Sequence, residues 1–318
     1  MTEDQSFSAQ VKDELAHELP TLPCCQRMEL AALLRAGGRV SIGGPGRLSV
    51  TVATDYAPVA RKVIKLVRAV FPGLQTEVRV MRRRRLRKNL IYQVRIPPQP
   101  GALDLLKETG ILTSDGNLTD WSDLSLLHQD HCRRAYLRGT FLGSGWISSP
   151  ERQHHLEMTT TETEAAEALG QMLFGYGLPV RVNYRREYMV LYLKDDDQIV
   201  RFLALVGASQ SLFRYEDIRA RKEIRNHVNR QVNAETANLG KTVDAAHRQI
   251  EALSHLTAFG GLERLSPALR ELAQLRLNHP EASLKELGEM CCPPVGKSGI
   301  NHRMRLLMSL AENPHRGL

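Results

Sequence analysis

A chain of 318 residues is long enough to bury more than one hydrophobic core. Its formal net charge of +8 and pI near 9.4 favour an anionic partner, nucleic acid ahead of an acidic membrane surface. No apolar run approaches the roughly 20 residues that span a bilayer, and the polar start Thr2-Glu-Asp-Gln-Ser is unlike a secretory leader, so a cytoplasmic protein is expected.

In chain order, the patterning predicts a short amphipathic helix over 6–18 and an apolar helix over 26–37 that ends in Gly37-Gly38. Strands over 39–43 and 47–54 follow as a hairpin about Gly43-Gly44-Pro45-Gly46. A helix over 57–70 is stopped by Pro72-Gly73, and strands over 75–81 and 90–96 and a helix over 102–109 complete the set. The same plan then returns. Cys25, Leu30, Ala32 and Gly38 recur as Cys132, Leu137, Gly139 and Gly145, and Thr54, Leu66 and Pro72 as Thr161, Leu173 and Pro179, all at an offset of 107 residues. A period this long is a duplicated half-domain rather than a solenoid. The second half predicts strands over 145–148 and 154–160, a helix over 162–176, strands over 180–184 and 188–194 and a helix over 198–206. The expected class is α+β: tandem αββαββα repeats with a saddle-shaped set of antiparallel strands under two central helices. Small residues at mid-helix, Ala32 and Gly139, cost helix propensity and imply that the two helices touch closely.

The five cysteines stand as Cys24-Cys25, Cys132 and Cys291-Cys292, an odd number that suggests reduced thiols. With no C-x-x-C spacing, buried thiols at a helix start are expected for Cys25 and Cys132 in preference to zinc; no metal and no cofactor is expected. Asp195-Asp196-Asp197 reads as an acidic helix N-terminus rather than a metal site. The first-half hairpin carries three residues more than its repeat, and its tip is Arg82-Arg83-Arg84-Arg85-Leu86-Arg87-Lys88. Edge protection needs one or two charges. Six cations in seven residues point to phosphate contact by Arg82, Arg83, Arg84, Arg85, Arg87 and Lys88, without sequence preference.

Beyond residue 210 the composition changes. Residues 219–248 hold seven Lys/Arg against three Asp/Glu, and the Asn-rich stretch 231–241 leads to a helix over 242–258 that ends at Gly260-Gly261. Pro267 opens a helix that His279-Pro280 breaks. Ser283-Leu-Lys-Glu286 is a capping box for a second helix, and a turn at Cys291-Cys292-Pro293-Pro294-Val295-Gly296 precedes a third from Ser298. Ile300, Met304, Leu307, Met308 and Ala311 form its apolar stripe, opposite Ser298, His302, Arg305 and Ser309 with Asn301 and Arg303 alongside. This is a helix-turn-helix pattern. Asn301, His302, Arg303 and Arg305 are placed to read base edges, with Ser298 on the same DNA-facing side, and Lys297 at the helix start suits a phosphate.

The duplicated helix, with its small residue, terminal Gly and following strand, resembles the LAGLIDADG motif of single-chain homing endonucleases. In that family an acidic residue precedes the final Gly and binds the cleavage metal. Gly37 and Ser144 stand at those positions here, so the resemblance implies the fold without the hard-cation site that cleavage needs. Together with Asn229-Arg230-x-x-Asn233-x-x-x-Ala237-Asn238-x-x-Lys241 and the C-terminal helix-turn-helix, the whole chain resembles the WhiA family of bacterial sporulation and cell-division regulators. That resemblance implies double-stranded DNA as partner, no endonuclease activity and a place at the nucleoid, with RNA polymerase and a Wbl-type iron-sulphur regulator as protein partners. It marks Asn229, Arg230, Asn233, Asn238 and Lys241 as signature residues.

The expected organisation is a first half over 1–115, a second over 116–210, a basic helical linker over 211–261 and a helix-turn-helix domain over 262–318. The expected function is a non-catalytic, sequence-specific DNA-binding regulator. Two alternatives stand beside it: a divergent endonuclease using other carboxylates such as Glu29 or Asp55, and a protein- or RNA-docking platform that binds DNA without preference.

Overall fold

Each copy of the repeat folds to the same order of elements. In the computed structural model, which describes residues 6–43, 48–82, 90–117, 119, 127–258 and 260–312, α1 (Phe7–His17) leads into the first copy. That copy is α2 (Pro23–Gly37), β1 (Gly38–Ile42), β2 (Leu48–Thr54), α3 (Ala57–Val70), β3 (Glu77–Arg82), β4 (Leu90–Ile96) and α4 (Ala102–Glu108). The second is α5 (Asp130–Ser144), β5 (Gly145–Ile147), β6 (Leu156–Thr160), α6 (Thr163–Gly175), β7 (Arg181–Arg185), β8 (Tyr188–Leu193) and α7 (Asp196–Val206). The strands expected as a saddle form two four-stranded antiparallel sheets, ordered β1-β2-β4-β3 and β5-β6-β8-β7. In each, a pairing between strands that are not chain neighbours joins two hairpins, Val52 opposite Val94 in one and Met158 opposite Leu191 in the other. The outer strands β3 and β7 are exposed throughout, and arginines stud both edges.

The helices are amphipathic where they must be. In α3, Val59, Ala60, Val63, Leu66 and Val67 are buried on one stripe, and Pro58 sits in the first turn, where its missing N–H costs nothing. At the centre α2 packs on α5. A Cβ on Gly139 would stand 2.5 Å from the Glu29 carbonyl oxygen and 2.7 Å from Ala32 Cβ, and one on Gly143 would stand 2.7 Å from Ala36 Cβ. The close approach expected from Ala32 and Gly139 is therefore made, backbone against backbone. Asp195 caps α7 by accepting from the Gln198 N–H at 3.0 Å, and Asp196 and Asp197 pair with Arg219 at 2.9 and 2.8 Å, so the acidic triplet is committed to the helix start.

The chain divides into two compact units, through Lys222 and from Glu223 onward. One helix, α8 (Ser209–Ala258), contains the boundary; it begins well before the residue 242 expected from sequence. The Asn-rich stretch is helical because it holds no proline, and its polar side chains bond along the helix: Gln231 donates to Glu235 at 3.1 Å and Thr242 to the Asn238 carbonyl at 2.9 Å. The second unit adds α9 (Pro267–Asn278), α10 (Leu284–Met290) and α11 (Lys297–Glu312) around Leu253, Leu272, Ala273, Leu287, Ile300, Met304 and Leu307. No described helix is long and apolar enough to cross a membrane.

Candidate nucleic-acid interface

The three short helices are held by specific bonds. Ser283 Oγ accepts from the Glu286 N–H at 3.3 Å and Glu286 Oε2 accepts from the Ser283 N–H at 2.7 Å, which completes the capping box. Those donors hold the Glu286 carboxyl below its ordinary range. The turn before it is anchored from inside. Arg276 is buried and its guanidinium donates to the carbonyl of Ala282 at 2.6 Å, with His279 and Pro280 oxygens at 3.4 Å. The turn between α10 and α11 is fixed twice: the Val295 N–H donates to the Gly288 carbonyl at 2.8 Å, and the Cys292 N–H donates to Glu271 Oε1 at 2.8 Å. A Cβ on Gly288 would lie 2.1 Å from the Val295 oxygen, so α10 accepts only glycine at this contact.

These contacts set the rotation of α11. Ile300, Met304 and Leu307 face the core. Lys297, Ser298, His302, Arg305 and Ser309 are exposed, and Asn301 and Arg303 are half-buried on either flank. Among the described residues, no hydrogen bond or ion pair involves the side chains of Lys297, Ser298, Asn301, His302, Arg303 or Arg305, although the Arg303 charge also reaches the buried Cys291 thiol. Leu306, absent from the sequence reading, is 45% exposed beside His302. An apolar side chain there is of the type that contacts a thymine methyl group; its signal was a leucine lying off the apolar stripe.

The signature residues Asn229, Arg230, Asn233, Asn238 and Lys241 are all exposed on α8. At about 100° per residue they share one side of the helix, while Ile224, Val228, Val232, Leu239 and Val243 fall within an arc of about 100° on the other. Those five apolar side chains are exposed too, a stripe that composition alone concealed among the charges. Of the basic hairpin tip, Arg82 is exposed at the end of β3, opposite Leu90. Arg83, Arg84, Arg85, Arg87 and Lys88 lie outside the described residues.

Gly37 and Ser144 end α2 and α5, and Ser144 Oγ donates back to the Thr140 carbonyl at 3.3 Å. Glu29, one carboxylate of the endonuclease alternative, is fully buried. It is ion-paired with the equally buried Lys62 and with Arg138 at 3.5 Å. Burial pushes its carboxyl up against the pull of those two cations. Asp55, the other, is exposed in the turn between β2 and α3.

Three family profiles match: the WhiA N-terminal LAGLIDADG-like domain over residues 23–112, the WhiA LAGLIDADG-like domain over 133–225 and the WhiA C-terminal HTH domain over 228–311. A "Probable cell division protein WhiA" of Symbiobacterium thermophilum is 61% identical over 313 residues, covering 98% of this chain and 99% of its own. A protein of the same name from Heliobacterium modesticaldum is 48% identical, covering 96% of both. The crystal structure of a full-length DUF199/WhiA protein from Thermotoga maritima shares the fold, with a TM-score of 0.58 at 22% identity over 97% of this chain and 98% of that one.

Proposed function

The chain belongs to the WhiA family, and from that premise we propose that it is a non-catalytic, sequence-specific DNA-binding protein that regulates transcription tied to cell division. The observation that carries this reading is the outward face of α11, where Asn301, His302, Arg303 and Arg305 stand on a helix whose rotation is fixed. Asn and Arg are the side chains that pair bidentately with adenine and guanine edges in the major groove. Lys297 at the helix start, and the Arg82 to Lys88 tip, supply phosphate contacts that position without specifying. The division role is supported by the names of the relatives at 61% and 48% identity. The absence of cleavage rests on Gly37 and Ser144 standing where the metal-binding acids would be, and on Glu29 being held by two cations. On this reading the protein acts in the cytoplasm at the nucleoid. RNA polymerase and a Wbl-type iron-sulphur regulator are the protein partners that the family resemblance implies.

The test is a selection from fragmented genomic DNA with magnesium present, sequencing both the retained pieces and their ends. A shared short motif with intact ends is expected. Arg305→Ala relaxes preference at one base position, by about 1–3 kcal/mol of discrimination. Replacing Arg82, Arg83, Arg84 and Arg85 by Ala weakens all binding and lowers the salt slope by roughly 0.9 for each phosphate that is no longer neutralised. New ends clustered at one sequence, or an Arg305→Ala protein with unchanged preference, would overturn the reading.

A further inference from the structure

At its 107-residue offset the repeat aligns Cys24 with His131 and Cys25 with Cys132. Each pair opens a central helix: Cys24 and Cys25 follow Pro23 in the first turn of α2, and His131 and Cys132 follow Asp130 in the first turn of α5. Because these helices pack side by side, two unremarkable dipeptides meet. His131 Nδ1 lies 3.1 Å from Cys25 Sγ, 3.4 Å from Cys132 Sγ and 4.0 Å from Cys24 Sγ. One donor atom from each of the four residues falls within 4.8 Å of every other.

Those separations match a single ion. A tetrahedral zinc centre, with Zn–S near 2.3 Å and Zn–N near 2.0–2.1 Å, sets its S···N edges at about 3.6 Å and its S···S edges at about 3.8 Å. The three observed S···N distances fall on both sides of the first value. Three thiols and an imidazole are soft and borderline donors, suited to zinc and unsuited to magnesium or calcium, which take oxygen. An iron–sulphur cluster spreads its cysteines around several metal atoms, whereas this set encloses the space of one. Cys25 and Cys132 are buried and Cys24 is exposed, so an ion has a way in from solvent.

We propose that Cys24, Cys25, His131 and Cys132 bind one zinc-class divalent cation, a structural site that joins the two halves of the repeat at the N-terminal ends of the central helices. With four protein ligands no coordination position is left open for a substrate, so the site holds structure rather than performing chemistry. It lies at the opposite helix ends from Gly37 and Ser144, where the LAGLIDADG cleavage metal would belong. The site is independent of what DNA the protein reads.

The experiment is a titration of the reduced, chelator-treated full chain with Co2+, followed by Zn2+. Expected are saturation at one Co2+ per chain, thiolate-to-cobalt charge-transfer absorption with the intense d–d bands of four-coordination, and their loss when zinc displaces cobalt. Cys25→Ser, Cys132→Ser and His131→Asn weaken cobalt binding by at least about tenfold, the scale on which even outer-shell partners act. The Cys291→Ser, Cys292→Ser double variant leaves it unchanged. Should the buried variants fail to fold, the exposed Cys24→Ser and differential alkylation of the unaltered chain decide the matter. Bound zinc then protects Cys24, Cys25 and Cys132 while Cys292 stays reactive. Absent charge-transfer absorption, a spectrum and affinity unmoved by Cys24→Ser, or a Cys25–Cys132 disulfide that forms with zinc present would each overturn the site.

Discussion

Lys12 is an ammonium almost without water. It is buried in α1, with its Nζ 4.9 Å from the Tyr56 ring centroid and 5.9 Å from that of Phe141. Burial lowers its pKa from 10.5 to about 8, and the Asp55 carboxylate only partly opposes that. The unfolded chain therefore binds the proton more tightly than the folded one. Below pH 8 both states are charged and the full cost of burial is present; between about 8 and 10.5 the folded state sheds its proton and stability rises. Lys12→Met is expected to stabilise the protein at pH 7, on the order of 2 kcal/mol, an advantage that fades as the pH climbs through that window. Urea unfolding at pH 7, 9 and 10.5 measures it, and a constant difference across the series would refute the assignment. At this scale the sequence was legible unevenly. Ser283 and Glu286 announced their capping box because the whole signal lies within four residues. The grouping of Cys24, Cys25, His131 and Cys132 did not show, because no ligand spacing runs along one segment; the partners are joined only when two helices pack.

Helices α2 and α5 meet where neither can yield. Gly139 places its Cα against the Glu29 carbonyl and Ala32, both parts of the facing helix, so an added side chain meets backbone rather than a movable tip. Gly139→Val is expected to cost about 3 kcal/mol or more, since the overpacking can be relieved only by separating the helices. Gly240 in α8 is the internal comparison, with nothing within 4 Å of a Cβ built there. Gly240→Ala should stabilise by roughly 0.5–1 kcal/mol through helix propensity alone. Equal effects of the two substitutions on circular-dichroism melts would mean that the helices do not meet as described. The small residues at 32 and 139 made this contact readable from sequence, and the strands of each hairpin were readable as neighbouring apolar runs. The β2–β4 and β6–β8 pairings were not, because strands distant along the chain find each other through a shared core that no local pattern encodes. The helical character of 211–261 was legible, but its continuity through the Asn-rich stretch was not, because asparagine disfavours helix locally, yet a long run without proline tolerates it when both flanks are helical.

The described core of the first unit runs from Phe7 to Tyr215 and that of the second from Leu253 to Leu307, and no residue belongs to both. Cooperativity follows shared buried surface, so a chain with two cores need not unfold in one step. The second core is small, and its helices α9, α10 and α11 depend on Leu272, Leu287, Ile300, Met304 and Leu307 to hold the outward face of α11 in place. Calorimetry is expected to show two transitions. Leu287→Ala should lower one of them by the equivalent of about 2–5 kcal/mol, as a large-to-small change in a tight core does, and leave the other in place. Leu66→Ala, in the first core, should do the reverse. Specific DNA added to the unaltered protein should raise the transition that Leu287→Ala lowers, because a ligand stabilises the unit that it binds. If DNA instead raised only the transition sensitive to Leu66→Ala, recognition would belong to the LAGLIDADG-like unit and α11 would be a packing helix. A single transition moved by both substitutions would make the chain one cooperative body, and fixing α11 for recognition would then draw on both cores.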